Sequence, residues 1–191
     1  MIDKRKLVLN AKQLRKGLPT TDYGLQKLRK SVDRRRNAIY IVLDNVLDTY
    51  NIGSIFRLAD AVAAKKIYLC GGTETPPNHR IKKASINTTE VVEWEYYASA
   101  SEAISKLKSQ NSNLQVIAIE QVEESVQYDK FEYKLPLALV VGHETSGVSP
   151  EVLKIVDGVV ELPMFGVNKS LNVMVSLAIV LYEVIERTIS K

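Results

Sequence analysis

Polar side chains able to bind or orient a reacting group gather in three short stretches of a chain otherwise built from apolar runs. The first carries Asn51, Gly53, Arg57 and Asp60. Arg57 sits among Phe56, Leu58 and Ala59, and its planar fork suits a phosphate. Two readings stay open from this stretch alone: an anion clamp, or an arginine paired with Asp60 at the surface. Asn51 stands where a side-chain oxygen could cap the helix that follows. Gly53 costs a helix roughly 1 kcal/mol relative to alanine, which points to another backbone packed closely against it.

The second stretch, Gly142 to Pro150, follows the apolar run Leu137 to Val141. Gly142 and Gly147 would let a backbone approach a ligand closely. Ser149 before Pro150 reads as an N-cap and first helical residue. Glu144 taken alone is a turn residue facing water. The third stretch runs from Glu161 into a long apolar segment ending near Glu183. Pro163 stops a strand, Gly166 permits a sharp loop, and Ser170 can cap the helix after it. That helix is apolar on most sides and must be buried, against its own core or against a partner subunit. Asn172, near its start, needs hydrogen-bond partners, as a local cap or as a ligand contact.

Alternating elements must carry these stretches. Strands are expected at Ala38 to Leu43, Lys66 to Cys70, Val91 to Tyr96, Leu114 to Glu120, Leu137 to Val141 and Val159 to Leu162. Helical patterns occupy Ile52 to Ala64, Ser99 to Gln110, Glu151 to Val156 and Leu171 to Thr188. Such alternation implies an α/β domain with a largely parallel sheet covered on both faces. In those sheets ligands bind beyond the carboxyl ends of the strands, where the three polar stretches begin.

Composition narrows the class further. The apolar region Leu171 to Leu181 is too short to span a bilayer. The start, from Met1 to Lys6, lacks the apolar run of a secretory signal, so a cytoplasmic protein is expected. The single cysteine, Cys70, rules out an internal disulfide and reads as a small buried thiol. His79, His143 and Cys70 form no zinc spacing, so no metal is expected. Residues 1–36 hold 12 Lys and Arg against three Asp, a balance of +9, whereas the remainder holds 14 basic against 19 acidic residues, a balance of −5. A basic block ending in Arg34, Arg35 and Arg36 attracts polyanions, and nucleic acid is the commonest. A solvated basic tail would carry the same charge. The chain is therefore divided into a basic extension, 1–36, and a compact domain, 37–191.

In this order and spacing the three stretches resemble the motifs of the SpoU (TrmH-type) branch of the SPOUT RNA methyltransferases. Asn51-x-Gly53-x-x-x-Arg57-x-Ala59-Asp60 resembles the first motif and Gly142-x-Glu144-x-x-Gly147 the second. Leu162-Pro163-Met164-x-Gly166-x-x-x-Ser170-Leu171-Asn172-Val173 resembles the third. The resemblance covers roughly residues 38–188 and departs from the family pattern at Met174, usually serine, and at Ala61 to Ala64, usually Ala-Phe-Gly. It implies an α/β-knot fold, with the C-terminal segment threaded into a deep trefoil knot and a homodimer formed through the knots. It also implies S-adenosylmethionine as cofactor, with Gly142, Gly147, Leu162 and Leu171 contacting it and Ile119 and Met164 lining its pocket. Asn51, Arg57, Glu144, Ser170 and Asn172 match the family's polar active-site positions.

The chemistry implied is methyl transfer to a ribose 2′-hydroxyl in structured RNA, transfer RNA being favoured over ribosomal RNA because the chain lacks the separate N-terminal domain of many ribosomal relatives. A guanidinium stays protonated, so Arg57 is expected to grip a phosphate and ease the hydroxyl's ionisation rather than act as the base. The basic extension, with Arg80, Lys82 and Lys83 in a Pro-Pro-containing loop, is expected to dock RNA. A nucleotide-cofactor oxidoreductase needs a glycine fingerprint after the first strand, and Asp44 to Tyr50 contains no glycine. A non-catalytic RNA-binding or assembly protein on the same fold has no need to keep the five polar positions intact.

Overall fold

An uninterrupted apolar run can serve as a strand only where both faces of its sheet are covered. Asn37–Asp44 (β1) meets that condition. In the computed structural model, which describes residues 36–189, Ile39, Ile41 and Leu43 point into one core and Tyr40 and Val42 into the other. This is the two-residue alternation of a pleated strand.

The remaining strands are Ala64–Cys70 (β2), Glu93–Tyr97 (β3), Gln115–Ile119 (β4), Val126–Gln127 (β5), Leu137–Gly142 (β6) and Gly158–Glu161 (β7). They form one parallel sheet in the order β3-β2-β1-β6-β4-β7-β5. The helices are Thr49–Ala61 (α1), His79–Ser85 (α2), Ala100–Gln110 (α3), Pro150–Leu153 (α4) and Val173–Thr188 (α5). Ile52, Ile55 and Phe56 of α1 and Leu177, Val180 and Leu181 of α5 cover one face of the sheet. Ala103, Ile104 and Leu107 of α3 cover the other. The expected α/β architecture with a parallel sheet is therefore present.

Several boundaries differ from the sequence reading, each for a local reason. Helix α1 starts three residues early because Asp48 is its cap, accepting from the Tyr50 N–H at 2.8 Å, so Asn51 lies within the first turn. The Pro-Pro segment expected as loop contains α2, capped by Asn78, whose Oδ1 accepts from the Arg80 and Ile81 N–H groups. Helix α5 is capped by Asn172, whose Oδ1 accepts from the Met174 and Val175 N–H groups. Ser170 is not the cap; its own N–H donates to Asn168 Oδ1. Nor is α5 buried all round, because Val175, Ile179 and Tyr182 stay exposed.

Arg36, expected in the basic extension, packs against the compact domain. Its side chain is 2% exposed and lies within 3.6 Å of Asp60. The guanidinium donates to the carbonyls of Ala64 and Val91 at 2.8 and 2.7 Å. Burial pushes the Asp60 carboxyl above its ordinary value, against the pull of Arg36. Arg36 thus ties the start of β1 to the domain and is not available to RNA. Arg34 and Arg35 lie outside the described residues.

Gly53 is explained by packing. A Cβ there would stand 2.5 Å from Ala84 Cβ and 2.7 Å from the Ile81 carbonyl oxygen, so α1 and α2 meet backbone to backbone. Gly53→Ala would gain about 1 kcal/mol of helix propensity but overpack that contact at a cost of about 1–3 kcal/mol. The expected outcome is net destabilisation of up to roughly 2 kcal/mol, read as a lower urea midpoint.

Candidate active site

Adjacent parallel strands end side by side, so whatever follows them shares one edge of the sheet. Here β6, β4 and β7 are neighbours, with Ala118 opposite Val140 and Ile119 opposite Val160. Beyond their carboxyl ends lies a cavity of about 450 Å3. That volume is within the range of about 300–1,000 Å3 usual for small-molecule sites. Its wall includes Ile119, Gly142, Gly147, Leu162, Met164 and Leu171, all six positions expected to meet a cofactor. Glu144, Ser170 and Asn172 line it as well.

The turn after β6 forms one side of the cavity and closes on itself. His143 and Gly147 exchange backbone hydrogen bonds at 3.0 and 2.9 Å. Gly147 has a φ of +70°, a region where glycine pays no steric cost. A Cβ on Gly142 would fall 2.1 Å from the Gly147 carbonyl carbon. Both glycines are therefore required by the tightness of this turn.

Three polar side chains, one from each stretch, form a continuous hydrogen-bonded chain. Asn172 Nδ2 donates to Asn51 Oδ1 at 3.0 Å, and Asn51 Nδ2 donates to Glu144 Oε1 at 3.1 Å. The Glu144 carboxylate also accepts from the N–H groups of Leu47 and Asp48 at 3.1 and 3.0 Å. Partial burial pushes the Glu144 carboxyl up, but the hydrogen bonds from Asp48, Leu47 and Asn51 outweigh it and leave it below the ordinary value. Glu144 is therefore an acceptor that organises the start of α1, and a poor base near neutral pH. Asn51 is 7% exposed, so its amide orientation is set by these two partners.

Arg57 is not brought to the cavity wall. It lies six residues beyond Asn51 on α1, about 9 Å along the helix axis, exposed and without a hydrogen bond or ion pair among the described residues. The surface pairing with Asp60 does not form, because Asp60 belongs to Arg36. Arg80, Lys82 and Lys83 stand exposed on α2, which packs against α1 at Gly53.

Two carboxylates escaped the sequence reading. Asp44 ends β1, is 2% exposed and accepts from the Ser149 N–H at 2.8 Å. Glu120 follows β4 and accepts from the Val148 N–H at 2.8 Å. Consecutive N–H groups of the turn after β6 are thus held by the two strands that flank β6. The available signal was position: each is an acidic residue at the carboxyl end of an apolar strand. Among the described residues no group of His, Cys, Asp and Glu is placed to hold a metal ion.

Comparison with known proteins supplies the family. Residues 38–182 match the model of the SpoU rRNA Methylase family. A tRNA (guanosine(18)-2′-O)-methyltransferase of Aquifex aeolicus is 34% identical over 163 residues, covering 83% of this chain and 74% of that protein. The crystal structure of the A. aeolicus TrmH/SpoU tRNA modifying enzyme superposes with a TM-score of 0.72 at 30% identity, covering 87% of this chain and 84% of that one. An AdoMet-bound rRNA methyltransferase from Sinorhizobium meliloti superposes at 0.71 with 25% identity, over 92% of this chain and 60% of that one. The three motifs, Asn51 to Asp60, Gly142 to Gly147 and Leu162 to Val173, all lie within the matched residues, and this chain belongs to the SpoU methylase family.

Proposed function

We propose that this chain transfers a methyl group from S-adenosylmethionine to a ribose 2′-hydroxyl of structured RNA, with transfer RNA the favoured substrate. The observation that carries the reading is the Asn172–Asn51–Glu144 chain, which joins three distant segments at the edge of a cavity sized for a small ligand. Relatives named as tRNA 2′-O-methyltransferases support the reaction and the RNA class. The wall suits such a donor: Ile119, Leu162 and Met164 offer apolar surface to a ring, and the glycine turn offers backbone groups unobstructed by side chains.

When bound, the donor supplies an electrophilic sulfonium methyl. Arg57 holds a phosphate beside the target ribose, and its charge favours loss of the hydroxyl proton. A phosphate oxygen or water takes that proton. Ser170 and Asn172 orient the ribose at the mouth, while Asn51 and Glu144 keep α1, and with it Arg57, in place. Basic residues 1–35 and the Arg80, Lys82 and Lys83 ridge hold the RNA through its phosphates. The chain acts in the cytoplasm, its C-terminal segment is threaded as a trefoil knot, and the exposed Val175, Ile179 and Tyr182 face of α5 is covered by a second copy. Among the described residues no helix is long and apolar enough to cross a membrane.

Three outcomes test this reading. Arg57→Ala is expected to lower methyl transfer to an RNA substrate roughly 100-fold or more while calorimetric affinity for S-adenosylmethionine stays unchanged; undiminished turnover would defeat the assignment. Removing residues 1–35 is expected to weaken RNA binding and flatten its salt dependence in filter-binding titrations; an unchanged slope marks the segment as a solubilising tail. Because the folded Glu144 carboxyl lies below its ordinary 4.5, its tie is fully present above that pH and is lost as pH falls through the lowered value. The stability advantage of the native chain over Glu144→Gln, measured by urea unfolding, should therefore shrink below about pH 4.5.

A further inference from the structure

We propose that Glu120 makes the cavity selective for a positively charged ligand, so that the methyl donor is held in preference to the neutral thioether left once its methyl has gone. The proposal rests on the methyl-donor reading above and concerns a residue outside the three motifs.

Glu120 follows the carboxyl end of β4, and its side chain lies on the cavity wall. Two backbone donors fix it: the Val148 N–H meets Oε2 at 2.8 Å and the Gln121 N–H meets Oε1 at 2.9 Å. This is not a mobile surface glutamate. The turn after β6 is shaped around it, since a Cβ on Gly147 would fall 2.1 Å from Oε2. A carboxylate offers about four acceptor sites, so two donors leave it capacity within the cavity. Glu144, by contrast, spends its oxygens on Leu47, Asp48 and Asn51.

The other charged groups on the wall are Glu144 and Glu161, which add to the negative field of Glu120, and Lys169, which opposes it. Acidic groups there are out of keeping with a site for phosphate, in a chain whose N-terminal 36 residues carry a balance of +9. They suit a cation. The donor and its thioether product differ at the sulfonium, by one methyl and one positive charge. A carboxylate held in place pays no reorganisation cost when the cation arrives. An interaction of one charge pair across partly solvated space is worth on the order of five- to tenfold in affinity.

Calorimetric titration of the full-length protein with S-adenosylmethionine and with S-adenosylhomocysteine tests this. Glu120→Gln retains an oxygen for the Val148 N–H and removes the charge. The ratio of the two dissociation constants, thioether over donor, is expected to fall about five- to tenfold in Glu120→Gln and to stay near the native value in Glu120→Asp. A Glu120→Gln ratio within twofold of the native one overturns the proposal, even if both ligands bind more weakly. That pattern would mean Glu120 only braces the turn. Failure of the native protein to bind either ligand would instead overturn the methyl-donor reading itself.

Discussion

A short relay of amide and carboxylate groups holds the functional edge of this molecule together. Asn172 caps α5 through its oxygen and donates through its nitrogen to Asn51, which donates in turn to Glu144. Glu144 closes the relay on the Leu47 and Asp48 N–H groups at the start of α1. Each amide has one oxygen and one NH2 group, and both ends are used. A change at any member leaves a partly buried polar partner unsatisfied, at a cost of about 1–3 kcal/mol. The relay therefore couples the orientation of α1, the turn after β6 and the first turn of α5.

Carboxylates do most of the loop organisation around it. Asp44, Glu120 and Glu144 each accept from backbone N–H groups, and none of them forms a salt bridge among the described residues. Hydrogen bonds to a charged acceptor are about twice as strong as neutral ones. Tight turns at strand ends have more N–H groups than local carbonyl partners, so acidic side chains at those ends resolve the shortage. The same placement puts negative charge on the cavity wall, while the positive charge of the chain collects at its N-terminus, on α2 and at Arg57.

Arg57 stands apart from this arrangement. An exposed guanidinium with no partner among the described residues is expensive in neither folding nor strain, and its planar fork suits a phosphate. The exposed apolar face of α5 lies on the helix that Asn172 caps.

The parallel sheet was legible in the sequence because buried strands leave continuous apolar runs, as at β1 and β6, and amphipathic segments between them leave a helical period. The three polar stretches were legible because glycine, proline and amide residues at fixed spacing have few other uses. Caps were misread at Asn51 and Ser170, since several residues near each helix start can accept an N–H and only the backbone geometry chooses Asp48 and Asn172. Arg36 was read as part of a basic tail because local charge says nothing about a carbonyl 28 or 55 residues away. Sequence alone determined which chemistry the chain holds, since residue types and their spacing are properties of the chain. Tertiary structure decided which groups meet: the Asn51–Asn172 contact spans 121 positions and the Asp44–Ser149 contact 105. Contacts at that range are set by strand order and packing, which no local pattern encodes.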